Sequence, residues 1–257
     1  LSEWRTLDAL PPEVDVLPVR GRVSGHLGKM LFEQRGYPRA LARLRADVAH
    51  VPYWAPPLRS PIPVVCSVLD VIPLVIREYR TGLLNRAYTS LVTAAARGAA
   101  QIVTISDASR DDIIAQIGVP PERVSVTYLA ADRAFHPEGD RQADAAARAR
   151  YGLGDVDDFV LYLGSYNAHK NLHLLLAAYT YVAQGVGPDV PLVLAGHVPP
   201  HWAEPRFPDL PAYINELGLD NYVRWIGPVD EADKPALYRL ASVFAFPSRY
   251  EGFGLGP

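Results

Sequence analysis

Apolar residues in this chain fall into short unbroken runs, separated by longer segments in which they recur every three to four positions. The runs are rich in β-branched residues: VDVLPV (14–19), DVAHV (47–51), IPVVCSVL (62–69), QIVTI (101–105), RVSVTYL (123–129), FVLYLG (159–164), VPLVLAG (190–196), YVRWIG (222–227) and SVFAF (242–246). Runs this continuous suit strands buried on both faces, as in a parallel sheet. Between them, LLNRAYTSLVTAAARGA (83–99), SDASRDDIIAQIG (106–118) and KNLHLLLAAYTYVAQG (170–185) carry helical spacing. Ser106 and Asp107 are N-cap candidates, and Gly118 is suited to end the helix they open. Alternating strands and helices predict an α/β protein with parallel sheets.

The segment FHPEGDRQADAAARARYG (135–152) interrupts that rhythm with Pro137 and Gly139 before an Ala/Arg-rich helix. A boundary there gives two Rossmann-like units, residues 1–138 and 139–257. The proline-rich stretch GHVPPHWAEPRFPDLP (196–211) reads as a loop in the second unit.

Composition narrows the function classes. With 49% apolar residues the chain can build a core, and a net charge of −3 with pI near 6.2 argues against nucleic acid as a partner. Cys66 is the single cysteine and lies in an apolar run, so no internal disulfide forms and a reducing compartment is implied. No apolar run reaches the roughly 18–20 residues of a membrane span, and the N-terminus lacks signal character. Arg39, Arg43 and Arg45 suit either a solvated helix face or contact with anionic lipid at the inner face of a membrane.

Two stretches carry candidate chemistry. In FVLYLGSYNAHKNL a strand ends at Gly164, and Lys170 stands at the start of the following helix, a combination that attracts an anion. In SVFAFPSRYEGFG a second strand ends in a turn, and Glu251 precedes a glycine-rich loop. Both residues fall at strand carboxyl ends, where open α/β sheets bind ligands. The bland alternatives are a solvated lysine and an exposed glutamate. His169 and His173 share a helical spacing but lack a third ligand, so no metal site is expected. His197 and His201 flank Pro199 and Pro200, which exclude a regular helix. The helix that Ser106 caps continues through Asp111 and Asp112, which read as a solvated face.

Six blocks together resemble the family 4 glycosyltransferases of the mannosyltransferase-like group 1. They are MLFEQRGYPRALARLRADVAHVPYWAPP (30–57), PVVCSVLDVIPL (63–74), IVTISDASRDDI (102–113), VTYLAADRAFHP (126–137), FVLYLGSYNAHKNL (159–172) and LYRLASVFAFPSRYEGFGLGP (237–257). The resemblance implies the GT-B fold, two Rossmann-like domains facing across a cleft, with an acceptor-side first domain and a nucleotide-sugar-binding second. It implies transfer of a hexose from a nucleoside diphosphate sugar, GDP-mannose first among the candidates, to a saccharide or lipid-linked hydroxyl. The family works with retention of configuration and without a metal ion or other cofactor. A cytoplasmic location, with peripheral association at the inner membrane face, goes with it.

Residue by residue, the resemblance makes Lys170 the contact to the donor phosphates and Glu251 the holder of the donor sugar hydroxyls. Gly252, Phe253 and Gly254 would line the sugar and phosphate site, joined by Ser165, Ser248 and Arg249, with Asp70 across the cleft. This chain also departs from the pattern. Leu69 stands where many members have histidine, and Ser165 where many have arginine, so Arg249 becomes the candidate second cation. A second donor-site glutamate of the family would fall beyond Pro257, and its first strand and glycine loop would precede residue 1, which implies a second domain that is only partial here. Two alternatives follow: a nucleotide-sugar-binding or scaffold protein with impaired catalysis, and a nucleotide-sugar epimerase. Oligomeric state stays open.

Overall fold

The structure is a computed structural model that describes residues 25–257 together with Val14. Two parallel four-stranded sheets organise those residues. The first contains β1 (Ala49–Val51), β2 (Val64–Ser67), β3 (Gln101–Thr104) and β4 (Val124–Val126), in the order β1-β2-β3-β4. The second contains β5 (Val160–Leu163), β6 (Leu192–Ala195), β7 (Val223–Gly227) and β8 (Val243–Phe244), in the order β7-β6-β5-β8. The α/β reading therefore holds. The run VDVLPV lies outside the described residues apart from Val14.

Central strands are buried on both faces, as their unbroken apolar runs require. All four residues of β6 are buried, and β5 pairs with it from Val160↔Leu192 to Leu163↔Ala195. The helices are α1 (Gly25–Leu31), α2 (Tyr37–Leu44), α3 (Ile72–Val75), α4 (Leu83–Arg97), α5 (Asp107–Ile117), α6 (Arg141–Arg150), α7 (Leu172–Val186), α8 (Leu210–Glu216) and α9 (Lys234–Leu240). A π-helical turn, Phe32–Gly36, joins α1 to α2 and carries the buried Glu33. Glu33 accepts a hydrogen bond from the Tyr88 hydroxyl at 3.1 Å and stands 3.7 Å from Lys29 Nζ.

Local chemistry explains the helix ends. Ser106 Oγ accepts from Ser109 N–H at 3.0 Å to cap α5, and Gly118 closes it in the left-handed region at φ 77°. Asp140 caps α6 by accepting from Gln142 N–H. The loop expected over 196–211 is two residues too long at its end, because α8 starts at Leu210. Asp209 accepts from Ala212 N–H at 3.1 Å, and Pro211 fits the first turn, where no N–H is needed.

Each sheet has its own core. Cys66, Val68, Ile102, Ile113 and Ile117 are fully buried in the first unit. Leu161, Leu176, Leu192, Leu194 and Leu210 are fully buried in the second. Burial pushes the Cys66 thiol up to about 12, so it stays protonated and weakly nucleophilic near neutral pH. Iodoacetamide will therefore leave Cys66 unmodified in the native protein and label it fully after denaturation, as intact mass will report. Native labelling within minutes would contradict this burial.

Candidate active site

The carboxyl ends of the two sheets meet, and the functional candidates gather there. After β5 the chain forms a 3-10 turn, Ala168–Lys170, and Asn171 then adopts the left-handed conformation at φ 60°. Asn171 is fixed by donating from Nδ2 to Pro247 O at 3.1 Å. Helix α7 thus begins at Leu172, so Lys170 stands just ahead of the helix rather than inside it. The same break separates His169 from His173, which do not share a helix face. His169 Nδ1 is bound by the Tyr79 hydroxyl at 2.6 Å, while His173 packs edge-on against Tyr213. Among the described residues no group of three or more His, Cys, Asp or Glu is placed to hold a metal ion.

Lys170 Nζ reaches Glu251 Oε1 at 2.7 Å, with only 18% and 22% of the two side chains exposed. Lys170 also stands 5.7 Å from the centre of the Phe246 ring. A lysine from the β5 loop and a glutamate from the β8 loop, 81 residues apart, thus form one polar centre. Asp70, from the loop after β2, lies within reach of both charges. Its carboxyl is raised above the ordinary range, chiefly by burial, against the Ile72 N–H that it accepts at 3.0 Å. The folded state holds that proton more tightly than the unfolded chain, so this group's contribution to stability falls as pH rises between the two pKa values.

The glycine-rich segment is held against the first unit by its backbone. Gly252 O accepts from Ser106 Oγ at 2.5 Å and lies 2.7 Å from Ser109 Oγ. A Cβ on Gly252 would stand 2.5 Å from Leu69 O, so the approach itself requires glycine. Ser106 therefore caps its helix as expected and also bridges the units. Asp112 departs from its expected place on a solvated face, since it accepts from the Tyr250 hydroxyl at 2.7 Å. The ring of Tyr250 packs against the core of the first unit.

The remaining candidates fall around this centre. Arg249 donates to Glu78 at 2.7 Å, so its charge is matched by the first unit rather than free beside Lys170. Ser248 Oγ is buried with no hydrogen-bond partner among the described residues. Phe253 is partly exposed, and Gly254 takes φ 87°. Ser165 accepts from Asn167 Nδ2 at 2.8 Å. With Gly164, Gly196, His197, Val229 and Lys234 it lines a cavity of about 210 Å³ at the ends of β5, β6 and β7.

Sequence reasoning missed Tyr79, Glu78 and Arg206. The Arg206 guanidinium lies 4.7 Å from the centre of the Tyr79 ring. Burial, then the neighbouring Lys170, lowers the His169 pKa, while burial raises that of Tyr79. Both shifts favour the uncharged forms of the two partners in this hydrogen bond.

Comparisons with known proteins bear on the family and the fold. Residues 5–135 match the family described as Glycosyltransferase Family 4, and residues 144–257 match Glycosyl transferases group 1. The chain is 32% identical over 155 residues to the O-antigen chain mannosyltransferase B of Escherichia coli, covering 60% of this chain and 39% of that protein. It is 27% identical to the alpha-D-kanosaminyltransferase of Streptomyces kanamyceticus over 93% of this chain and 65% of the relative. The chain thus spans less than two thirds of the length of each of these relatives. Among solved structures, WaaG, a glycosyltransferase involved in lipopolysaccharide biosynthesis, aligns with a TM-score of 0.63 at 16% identity, over 84% of this chain and 57% of that one. Anabaena HepE in complex with UDP and glucose aligns with a TM-score of 0.54 at 21% identity, over 75% and 48%.

Proposed function

The chain belongs to the family 4 glycosyltransferases and has their GT-B fold, and from that premise we propose that it moves a hexose from a nucleoside diphosphate sugar to a hydroxyl of a saccharide or lipid-linked acceptor. The observation that carries this reading is the Lys170–Glu251 pair, mostly buried and set beside a glycine loop at strand carboxyl ends. In the structure the two charges satisfy each other. A donor offers each a better partner: diphosphate for the ammonium, sugar hydroxyls for the carboxylate.

The N–H groups of Gly252, Phe253 and Gly254 have no hydrogen-bond partner among the described residues, while the Gly252 carbonyl is occupied by serines. These amides and the unpartnered Ser248 hydroxyl suit a phosphate or sugar oxygen. Ser165 bounds the same donor cleft at the β5 loop, and Arg249 secures it through Glu78. Asp70 faces the sugar from the first unit. On this reading the division between units falls between residues 138 and 139.

Transfer breaks the bond from the anomeric carbon to the diphosphate oxygen and forms one to the acceptor oxygen. On the reading offered here the acceptor attacks the face the diphosphate leaves, and its proton passes to the departing oxygen, so configuration is retained. Lys170 offsets the charge growing on the leaving group. Since that cation belongs to the protein, EDTA will leave turnover unchanged; loss of activity restored by magnesium or manganese would overturn metal independence. The similarity to a mannosyltransferase favours GDP-mannose as donor. Calorimetric titration with a panel of nucleoside diphosphate sugars tests the site: one binds, and Glu251→Gln removes the sugar-dependent part. Equal binding of donor and bare nucleotide by both proteins would remove Glu251 from its role.

One observation favours the second reading, a nucleotide-sugar binder without turnover. Leu69 is exposed at the position where the resemblance leads one to expect histidine, and it offers no side-chain hydrogen bond. A donor that binds but is never transferred to any acceptor would support it.

A further inference from the structure

The turn that carries Lys170 is held by both units. Two backbone bonds tie Ala168–Lys170 to the second unit: Ala168 N–H donates to Arg206 O at 2.8 Å, and Arg249 N–H donates to His169 O at 2.8 Å. The His169 ring reaches the other way. It belongs to a residue only 6% exposed, and its Nδ1 meets the Tyr79 hydroxyl of the first unit at 2.6 Å. A hydrogen bond this short and this well shielded fixes the two rings in one relative position, one residue away from Lys170.

Tyr79 is itself firmly placed. Its carbonyl accepts from Asn85 Nδ2 at 2.6 Å, its N–H donates to Ile76 O at 3.2 Å, and the Arg206 guanidinium lies 4.7 Å from its ring centre. The phenol thus sits between the Arg206 loop and the Lys170 turn, which Ala168 joins to each other. Earlier in the same first-unit segment stands Asp70, whose carboxyl accepts from Ile72 N–H at 3.0 Å and feels the charges of both Glu251 and Lys170. Residues 70–79 therefore carry two groups that meet the polar centre: one bears on the charges, and the other grips the turn beneath them.

We propose that Tyr79 and His169 are positioning residues for sugar transfer, their hydrogen bond setting Lys170 in register with Asp70 when the two units come together. The proposal rests on the transfer reading above. Neither ring is required to touch the donor. Since the bond spans the units while Lys170 and Glu251 both belong to the second, it governs how well the centre is assembled for reaction rather than how tightly the donor is held. Its loss therefore falls on kcat, and the donor Kd stays as it is.

The test compares Tyr79→Phe, His169→Leu and His169→Asn with wild type. The first two remove the bond and keep most of the side-chain volume, whereas asparagine keeps a polar group that can donate or accept near the place of Nδ1. Tyr79→Phe and His169→Leu each lower kcat about fivefold, the worth of one hydrogen bond, with the calorimetric donor Kd unchanged. His169→Asn recovers most of the rate. The double variant Tyr79→Phe with His169→Leu is no slower than either single one, because both remove the same bond. Losses that multiply in the double variant, or that fall on donor Kd with kcat intact, overturn the proposal. A second readout needs no turnover. Spin labels at Leu84→Cys and His201→Cys, exposed sites on the two units, report the distance between the units while the buried Cys66 stays unlabelled. Tyr79→Phe raises the ratio of the longer to the shorter distance population about fivefold. If wild type transfers sugar to no acceptor, the transfer reading fails, and the distances still show whether this bond holds the units in register. Unchanged kcat with an unchanged distance distribution in Tyr79→Phe removes both rings from the role.

Discussion

Lys170→Ala will lower sugar transfer by about 10²–10³-fold while leaving the thermal midpoint close to wild type. The size follows from removing a preorganised cation from the place where leaving-group charge develops, which carries that magnitude in water-poor sites. The small effect on stability follows from the pair's geometry. Lys170 and Glu251 meet at 2.7 Å and are still about a fifth exposed, so solvent can hydrate the partner left behind. Glu251→Ala will act as strongly on transfer, but through the sugar rather than the phosphate: it weakens the donor more than the bare nucleotide. Combined, the two substitutions will cost far less than the product of the single effects, because each alone already disables the shared centre. Near-normal turnover by both single variants would remove this pair from the chemistry.

Gly196→Ala will unfold the second unit or lower its stability by about 3 kcal/mol or more. Gly196 follows β6 at φ 156°, and a Cβ there would lie 2.0 Å from the carbonyl oxygen of Gly164 at the end of β5. Backbone, not a flexible side chain, is the obstacle. Relief requires β5 and β6 to separate just where Gly164 N–H donates to Ala195 O at 2.9 Å and Gly196 N–H to Gly227 O at 2.8 Å. Those strand ends also carry the loop that leads to Lys170. Thermal unfolding followed by circular dichroism should show the loss, whereas Gly154→Ala, in open space, should barely move the midpoint. A Gly196→Ala protein of wild-type stability would mean that the two strand ends are not this close.

How much of this was legible in the sequence depends on the range of the interactions. Strands announce themselves through burial on both faces, so β5 and β6 appear as FVLYLG and VPLVLAG. Capping is local too, and Ser106 and Gly118 are readable within one helix. What fails is conformation set by contacts from afar. Asn171 breaks the apparent helix at Lys170 because Pro247, 76 positions later, receives its side chain. The start of α8 hides among prolines, since Pro211 reads as a breaker although it suits a first helical turn.

The bridge between the units is the part least visible beforehand. Asp112 meets Tyr250 over 138 positions, and Tyr79 meets His169 over 90, with no spacing rule to join them. One signal was available: Asp112 stands three residues after Ser109, itself three after Ser106, which puts all three on one side of α5. Arg206, in a proline-rich loop, offered none. The strand ends pointed to Lys170 and Glu251, the resemblance gave them roles, and the structure adds that they pair directly at 2.7 Å.

The most direct measurement is transfer of radiolabelled sugar from a panel of nucleoside diphosphate sugars to saccharide and lipid-linked acceptors, with the anomeric configuration of the product read by NMR. The account predicts one preferred donor, a product with the donor's own configuration, and loss of transfer in Lys170→Ala. A product of inverted configuration, or donor binding without transfer to any acceptor, would contradict it.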